Sequence, residues 1–89
     1  MTIDLKESSI DIYNTVIPEY IHFNDYEKGC MYIRNSEFSD FSFLPKNVEN
    51  LYFTNCDCLT TFEGSPLQKS NIIRILECNN LTSLKGLPE

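Results

Sequence analysis

Two segments near the C-terminus superpose in register. Leu51-Tyr52-Phe53-Thr54-Asn55-Cys56 lies over Ile73-Arg74-Ile75-Leu76-Glu77-Cys78, and Leu59-Thr60-Thr61-Phe62-Glu63-Gly64 over Leu81-Thr82-Ser83-Leu84-Lys85-Gly86. Pro66 lies over Pro88, so cysteine, glycine and proline all recur at a displacement of 22 residues. Met31-Tyr32-Ile33-Arg34-Asn35-Ser36 is a third copy, followed by Phe38, Phe41 and Pro45. Ile10-Asp11-Ile12-Tyr13-Asn14-Thr15 is a fourth, followed by Ile17 and Tyr20. The copies fall near residues 10–30, 31–50, 51–72 and 73–89, and residues 1–9 are a lead-in or cap.

A repeat of this length dictates how a core can form. Each copy opens with an apolar pair at period 2: Ile10/Ile12, Met31/Ile33, Leu51/Phe53 and Ile73/Ile75. That spacing is a short strand with one buried face. An apolar pair three residues apart follows: Ile17/Tyr20, Phe38/Phe41, Leu59/Phe62 and Leu81/Leu84. One copy alone cannot bury both rows, whereas stacked copies bury them as continuous ladders. The expected fold is a β-rich solenoid of about four stacked repeats. A short parallel sheet forms one face, and loops or short 3₁₀ segments form the other, because too few residues separate the strands for long helices.

The stretches "LPKNVENLYFTNCDCLTTFEGSP" (44–66) and "NIIRILECNNLTSLKGLP" (71–88) resemble the leucine-rich repeat family in its short bacterial variety. The shared features are LP, spaced apolar positions, then Asn or Cys, then an LTxL segment. Repeat lengths of about 20–29 residues agree with the spacing here. The resemblance implies a parallel sheet whose outer face binds partners. It also implies that the residue just after each strand points inward and satisfies backbone groups of the turn.

That last position holds Thr15, Ser36, Cys56 and Cys78. All four are small and able to hydrogen-bond, which suits a tight, buried turn. Cys56 and Cys78 therefore read as buried structural thiols. A zinc site is a poor fit, because Cys56 and Cys58 are closer than the usual C-x₂₋₄-C spacing and lack two further ligands. No C-x-x-C redox pair is present. Cys30 and Cys58 are the candidates for exposed thiols.

Residues alternating with the buried row face the other side of the sheet. They form two columns, Asp11, Tyr32, Tyr52, Arg74 and Tyr13, Arg34, Thr54, Leu76, flanked by Cys30, Asn50 and Ile72. Three tyrosines and two arginines thus gather on one small face. Tyr and Arg are the side chains most enriched at binding hot spots. Tyrosines also suit strands for purely structural reasons, and Arg34 can stack on Tyr13 or Tyr32 as a local cation–π pair. The eight column residues are the candidate protein-binding site.

Other function classes find little footing. His22 is the one histidine in the chain, and no Ser or Cys stands in a nucleophile motif, so no enzyme is expected. Gly29, Gly64 and Gly86 are isolated turn residues rather than a phosphate loop. Asp57-Cys58 and Asn79-Asn80 read as turns, and no cofactor or metal is expected. The seven Lys and Arg are dispersed singly in a chain of net charge −6, which argues against direct nucleic-acid binding. No apolar run is long enough to span a bilayer and the N-terminus has no signal core, so the expectation is a cytoplasmic protein without membrane contact.

The leading expectation is a non-enzymatic module that binds another protein through the Tyr/Arg face. The alternative is a small acidic inhibitor, anti-CRISPR-like or DNA-mimicking, of the kind phages and viruses use against host defence or nucleic-acid-binding proteins. Such a protein would act through Asp and Glu and would lose its partner as salt rises. Nothing in the sequence caps the last strand, which raises three expectations: cover by residues 1–9, a homodimer through that edge strand, or a longer natural chain.

Overall fold

The computed structural model describes residues 2–5, 9–18, 21–23, 29–41 and 43–87. Tyr20, Pro88 and residues 1 and 6–8 of the lead-in lie outside the described residues. Five strands form one sheet in chain order: β1 (Thr2–Leu5), β2 (Ser9–Tyr13), β3 (Cys30–Arg34), β4 (Asn50–Thr54) and β5 (Ile72–Leu76). Strands β2 to β5 pair parallel, and β1 pairs antiparallel with β2. No helix occurs among the described residues, so the molecule is a small β-rich domain. Its radius of gyration of 11.7 Å is close to the about 12 Å expected of a compact chain of this length.

The register follows the repeat. Ile10 pairs with Met31, Met31 with Leu51 and Leu51 with Ile73. Ile12, Ile33, Phe53 and Ile75 form the second apolar ladder in the same way. A one-residue slip would carry every one of these side chains to the solvent face, so the apolar pattern itself fixes the register. Successive strands are displaced by 21, 20 and 22 residues, and the return segments absorb the difference as turns, bends and extended chain.

Behind the sheet lies a core rich in aromatic rings. Phe53 and Phe62 are fully buried and meet edge to face at 5.7 Å, Phe41 stacks on Phe62 at 5.8 Å, and Phe38 touches Phe41, Phe43 and Phe53. Each fully buried Phe or Leu contributes about 1.5–3 kcal/mol relative to exposure. The second apolar row is buried at Ile17, Phe41, Leu59 and Phe62, as the spacing predicts. It fails at Leu84, which is 61% exposed. The cause is position: Leu84 belongs to the last copy, and no further layer covers it among the described residues.

Each of the four parallel strands is followed by a left-handed residue: Asn14, Asn35, Asn55 and Glu77 have φ between 49° and 56°. Asparagine tolerates this region because its short amide bonds locally. The Asn55 amide donates to the Asn35 side-chain oxygen at 2.6 Å, linking two layers. The turn column then closes inward. The Thr15 and Ser36 hydroxyls donate to the carbonyls of Tyr13 and Arg34 at 2.9 Å, and the Cys56 and Cys78 thiols lie 3.5 Å from those of Thr54 and Leu76. Backbone N–H groups of one layer also donate to the small side chain of the next, Thr15 to Ser36 and Cys56 to Cys78. Thus the four small residues satisfy buried turn groups that water cannot reach. Gly86 has φ 100°, and a Cβ there would collide with the carbonyl of Phe62, so the turn needs glycine for space as well as conformation.

Of the three expectations for the last strand, cover by residues 1–9 is not met by β1. Rather than covering the last strand, β1 lies at the other end of the sheet and covers β2. Its Ile3 and Leu5 share the core-side face with Ile12 and Ile10. Among the described residues β5 has no strand on its outer edge.

A candidate binding face on the parallel sheet

Both predicted columns exist. Asp11, Tyr32, Tyr52 and Arg74 are consecutive register partners, and so are Tyr13, Arg34, Thr54 and Leu76. Strand alternation places all eight on the outer face because their neighbours Ile10, Ile12, Met31, Ile33, Leu51 and Phe53 are buried. The face nevertheless divides into three parts of different chemistry.

Over β1 to β3 the charged and polar groups pair with one another, except that Asp11 Oδ1 is buried without a hydrogen-bond partner. Arg34 pairs with Asp11 at 2.7 Å, and its guanidinium lies 5.6 Å from the centroid of Tyr13. The Tyr13 hydroxyl donates to Asp4 at 3.2 Å. That hydrogen bond, reinforced by the Asp4 charge, holds the Tyr13 phenol above its ordinary value of 10.0. The Arg34–Asp11 pair is open to solvent, so it contributes at most about 1 kcal/mol. Its larger effect is to occupy Arg34. The anticipated Arg34–Tyr13 stacking is present, and Arg34 and Asp11 are each other's first partner rather than free contact groups.

At the centre, Tyr32 and Tyr52 stack with centroids 4.9 Å apart and ring planes within 7°. Both are half-buried, leaving part of each ring to solvent. A hydrogen bond with the neighbouring Cys30, followed by that thiol's charge, raises the Tyr32 phenol above its ordinary value. Stacked rings bury each other's flanks and hold a rigid platform at low entropic cost.

Over β5 the face is open. Arg74 is exposed and has no carboxylate partner among the described residues. Ile72 and Leu76 beside it are 42% and 57% exposed. Thr54 is half-buried next to Leu76.

Cys30 and Cys58, the candidates for exposed thiols, are less available than the sequence suggests. Cys30 is half-buried and accepts a hydrogen bond from the Asn50 amide at 3.3 Å. Cys58 is also half-buried, its sulfur 3.7 Å from the Ser36 carbonyl, and burial pushes its thiol up. Cys56 is wholly buried, and burial pushes its thiol to about 11. A thiol held protonated in this way is a poor nucleophile and metal ligand. No group of three His, Cys, Asp or Glu side chains that could hold a metal occurs among the described residues.

Sequence reasoning missed two contributors. Asp4 joins the face from β1, a strand that residues 2–5 are too short to announce by period. The asparagine ladder was readable, because Asn14, Asn35 and Asn55 recur directly after their strands. No helix among the described residues is long and apolar enough to cross a membrane. Comparisons with protein-family models, curated proteins and solved structures gave no match.

Proposed function

We propose that this chain is a short solenoid of the leucine-rich-repeat type that binds another protein, without catalysis, through the outer face of its parallel sheet. One observation carries the reading: the half-buried Tyr32–Tyr52 stack lies at the centre of the face, beside an exposed Arg74 that has no ion-pair partner among the described residues. Stacked aromatics next to an exposed guanidinium have the composition of a hot spot, with large area, rigidity and a charge that can make bidentate bonds. Support for the solenoid comes from the layer-by-layer register, the left-handed residue closing each strand and the buried small residue after it.

The test is capture of partners from lysate with the wild-type chain and a Tyr32→Ala/Tyr52→Ala/Arg74→Ala variant, at low and moderate salt. A partner held by the wild type at moderate salt and lost by the folded variant supports the face. A partner kept by the variant and released by salt instead favours the acidic-inhibitor reading, in which dispersed carboxylates do the binding.

A further inference from the structure

Among the described residues both outer edges of the sheet, on β1 and on β5, lack a neighbouring strand, and the two complement each other. On β5, the Ile72 N–H donates to Glu49 and the Leu76 carbonyl accepts from Asn55, so alternate residues direct their backbone groups toward β4. Alternation then turns the N–H and C=O groups of Ile73 and Ile75 to the outer edge. On the opposite side, the Asn14 N–H donates to Arg34 in β3, so Asp11 and Tyr13 turn their backbone groups toward β1. Asp4 is the register partner of Asp11 and turns its groups inward, which leaves those of Ile3 and Leu5 on the open edge. Each edge therefore offers two apolar core-side residues flanking one charged outer-face residue: Ile73–Arg74–Ile75 at one end and Ile3–Asp4–Leu5 at the other.

We infer that copies of this chain associate head to tail, β5 of one copy pairing antiparallel with β1 of the next. Antiparallel pairing sets residues with outward backbone groups directly opposite each other. Ile75 then faces Ile3 of the next copy, and Ile73 faces its Leu5. Arg74 and that copy's Asp4 fall between them as a non-hydrogen-bonded pair, in which side chains approach most closely. Apolar residues stay on the core side and the opposite charges meet on the outer face. Parallel pairing would place Asp4 across from an isoleucine and mismatch the faces. The charges also disfavour pairing of like edges. A fully overlapped β5–β5 dimer sets Arg74 against Arg74, and a β1–β1 dimer sets Asp4 against Asp4. Neither Asp4 nor Arg74 has an ion-pair partner among the described residues of its own chain. Leu5, 67% exposed, and the half-buried Ile73 and Ile75 are the apolar surface such a contact would cover. A head-to-tail contact does not close at two copies but continues until a ring forms or a filament grows.

Sedimentation velocity of the full chain over a concentration series tests this. Near physiological salt the Debye length is about 8 Å, which damps repulsion between chains of net charge −6. The average mass should rise with concentration beyond that of a dimer. Asp4→Arg and Arg74→Asp should each weaken association by roughly tenfold, since each turns an attractive cross-strand pair into a repulsive one. An equimolar mixture of the two variants should regain it, because each new contact then joins opposite charges. Leu5→Lys, at a site exposed in the monomer, should block assembly while its thermal unfolding confirms an intact fold. A monomer at every concentration up to millimolar overturns the inference. So does a mass that stops at two copies and ignores Asp4→Arg, which would identify a β5–β5 dimer instead.

Discussion

The first and last strands of the parallel stack, β2 and β5, present nearly the same residues to the core side. Ile10 and Ile12 on β2 are 2% and 0% exposed, whereas Ile73 and Ile75 on β5 remain partly exposed. The burial patterns say the same: β2 alternates half-buried with buried, and β5 alternates exposed with half-buried. Both pairs are isoleucines, so side-chain chemistry does not distinguish them. β2 has β1 on one side and β3 on the other, while among the described residues β5 has β4 alone. In a stack of layers, burial belongs to the place in the stack rather than to the residue, and the last layer keeps the apolar surface that an interior layer hides.

The strongest way to break this comparison is to truncate an interior residue and a terminal one. Phe53→Ala should cost about 3–5 kcal/mol, which is a large part of the total for a domain of this size. Ile75→Ala should cost well under half as much, because its site can collapse toward solvent. Urea unfolding midpoints would measure both. Equal costs would mean that β5 is as buried in solution as β4.

A smaller effect separates the layers at their strand ends. The first three layers close with asparagine in the left-handed region, and the fourth places Glu77 there at φ 56°. Glu77→Asn should stabilise the protein by about 0.5–1 kcal/mol by relieving that conformation. The same substitution tests whether Asn14, Asn35 and Asn55 owe their place to backbone geometry. No gain in denaturation midpoint would assign their role to the Asn–Asn bond between layers.

The smallest effect concerns the interior thiol. The Cys56 thiol sits at about 11 in the folded protein, above its ordinary value of 9.0. The unfolded chain therefore loses this proton first as pH rises. The contribution of Cys56 to stability is full below about pH 9 and declines between pH 9 and 11. Replacing Cys56 with alanine should flatten that part of the pH–stability curve. Native-state labelling by a thiol reagent should be slower at Cys56, 0% exposed, than at its counterpart Cys78, 9% exposed.

Much of this was legible in the sequence because the repeat encodes it twice, once as period 2 within a strand and once as spacing between strands. The pairs Ile10/Ile12 through Ile73/Ile75 fixed which face is buried, and the register then placed Asp11, Tyr32, Tyr52 and Arg74 in one row. What the repeat does not encode is what happens at its ends. β1 carries no copy of the pattern, and its pairing with β2 depends on tertiary proximity that four residues cannot signal. Leu84 is exposed because no further layer covers it among the described residues, which the identity of Leu84 does not reveal. On the outer face, strand alternation placed the Tyr and Arg residues in two columns, yet Arg34 and Arg74 look alike in sequence. They differ because Asp11 lies diagonally across from Arg34, whereas Arg74 has no ion-pair partner among the described residues.

Residue-resolved amide hydrogen exchange on a dilute sample tests the parallel stack with an open last edge most directly. The account predicts slow exchange through β2, β3 and β4. Within β5 it predicts alternation, with Ile72, Arg74 and Leu76 protected by bonds to β4 and Ile73 and Ile75 exchanging quickly from the free edge. Uniform protection along β5 in a dilute monomer would contradict it, since some further strand would then have to cover that edge.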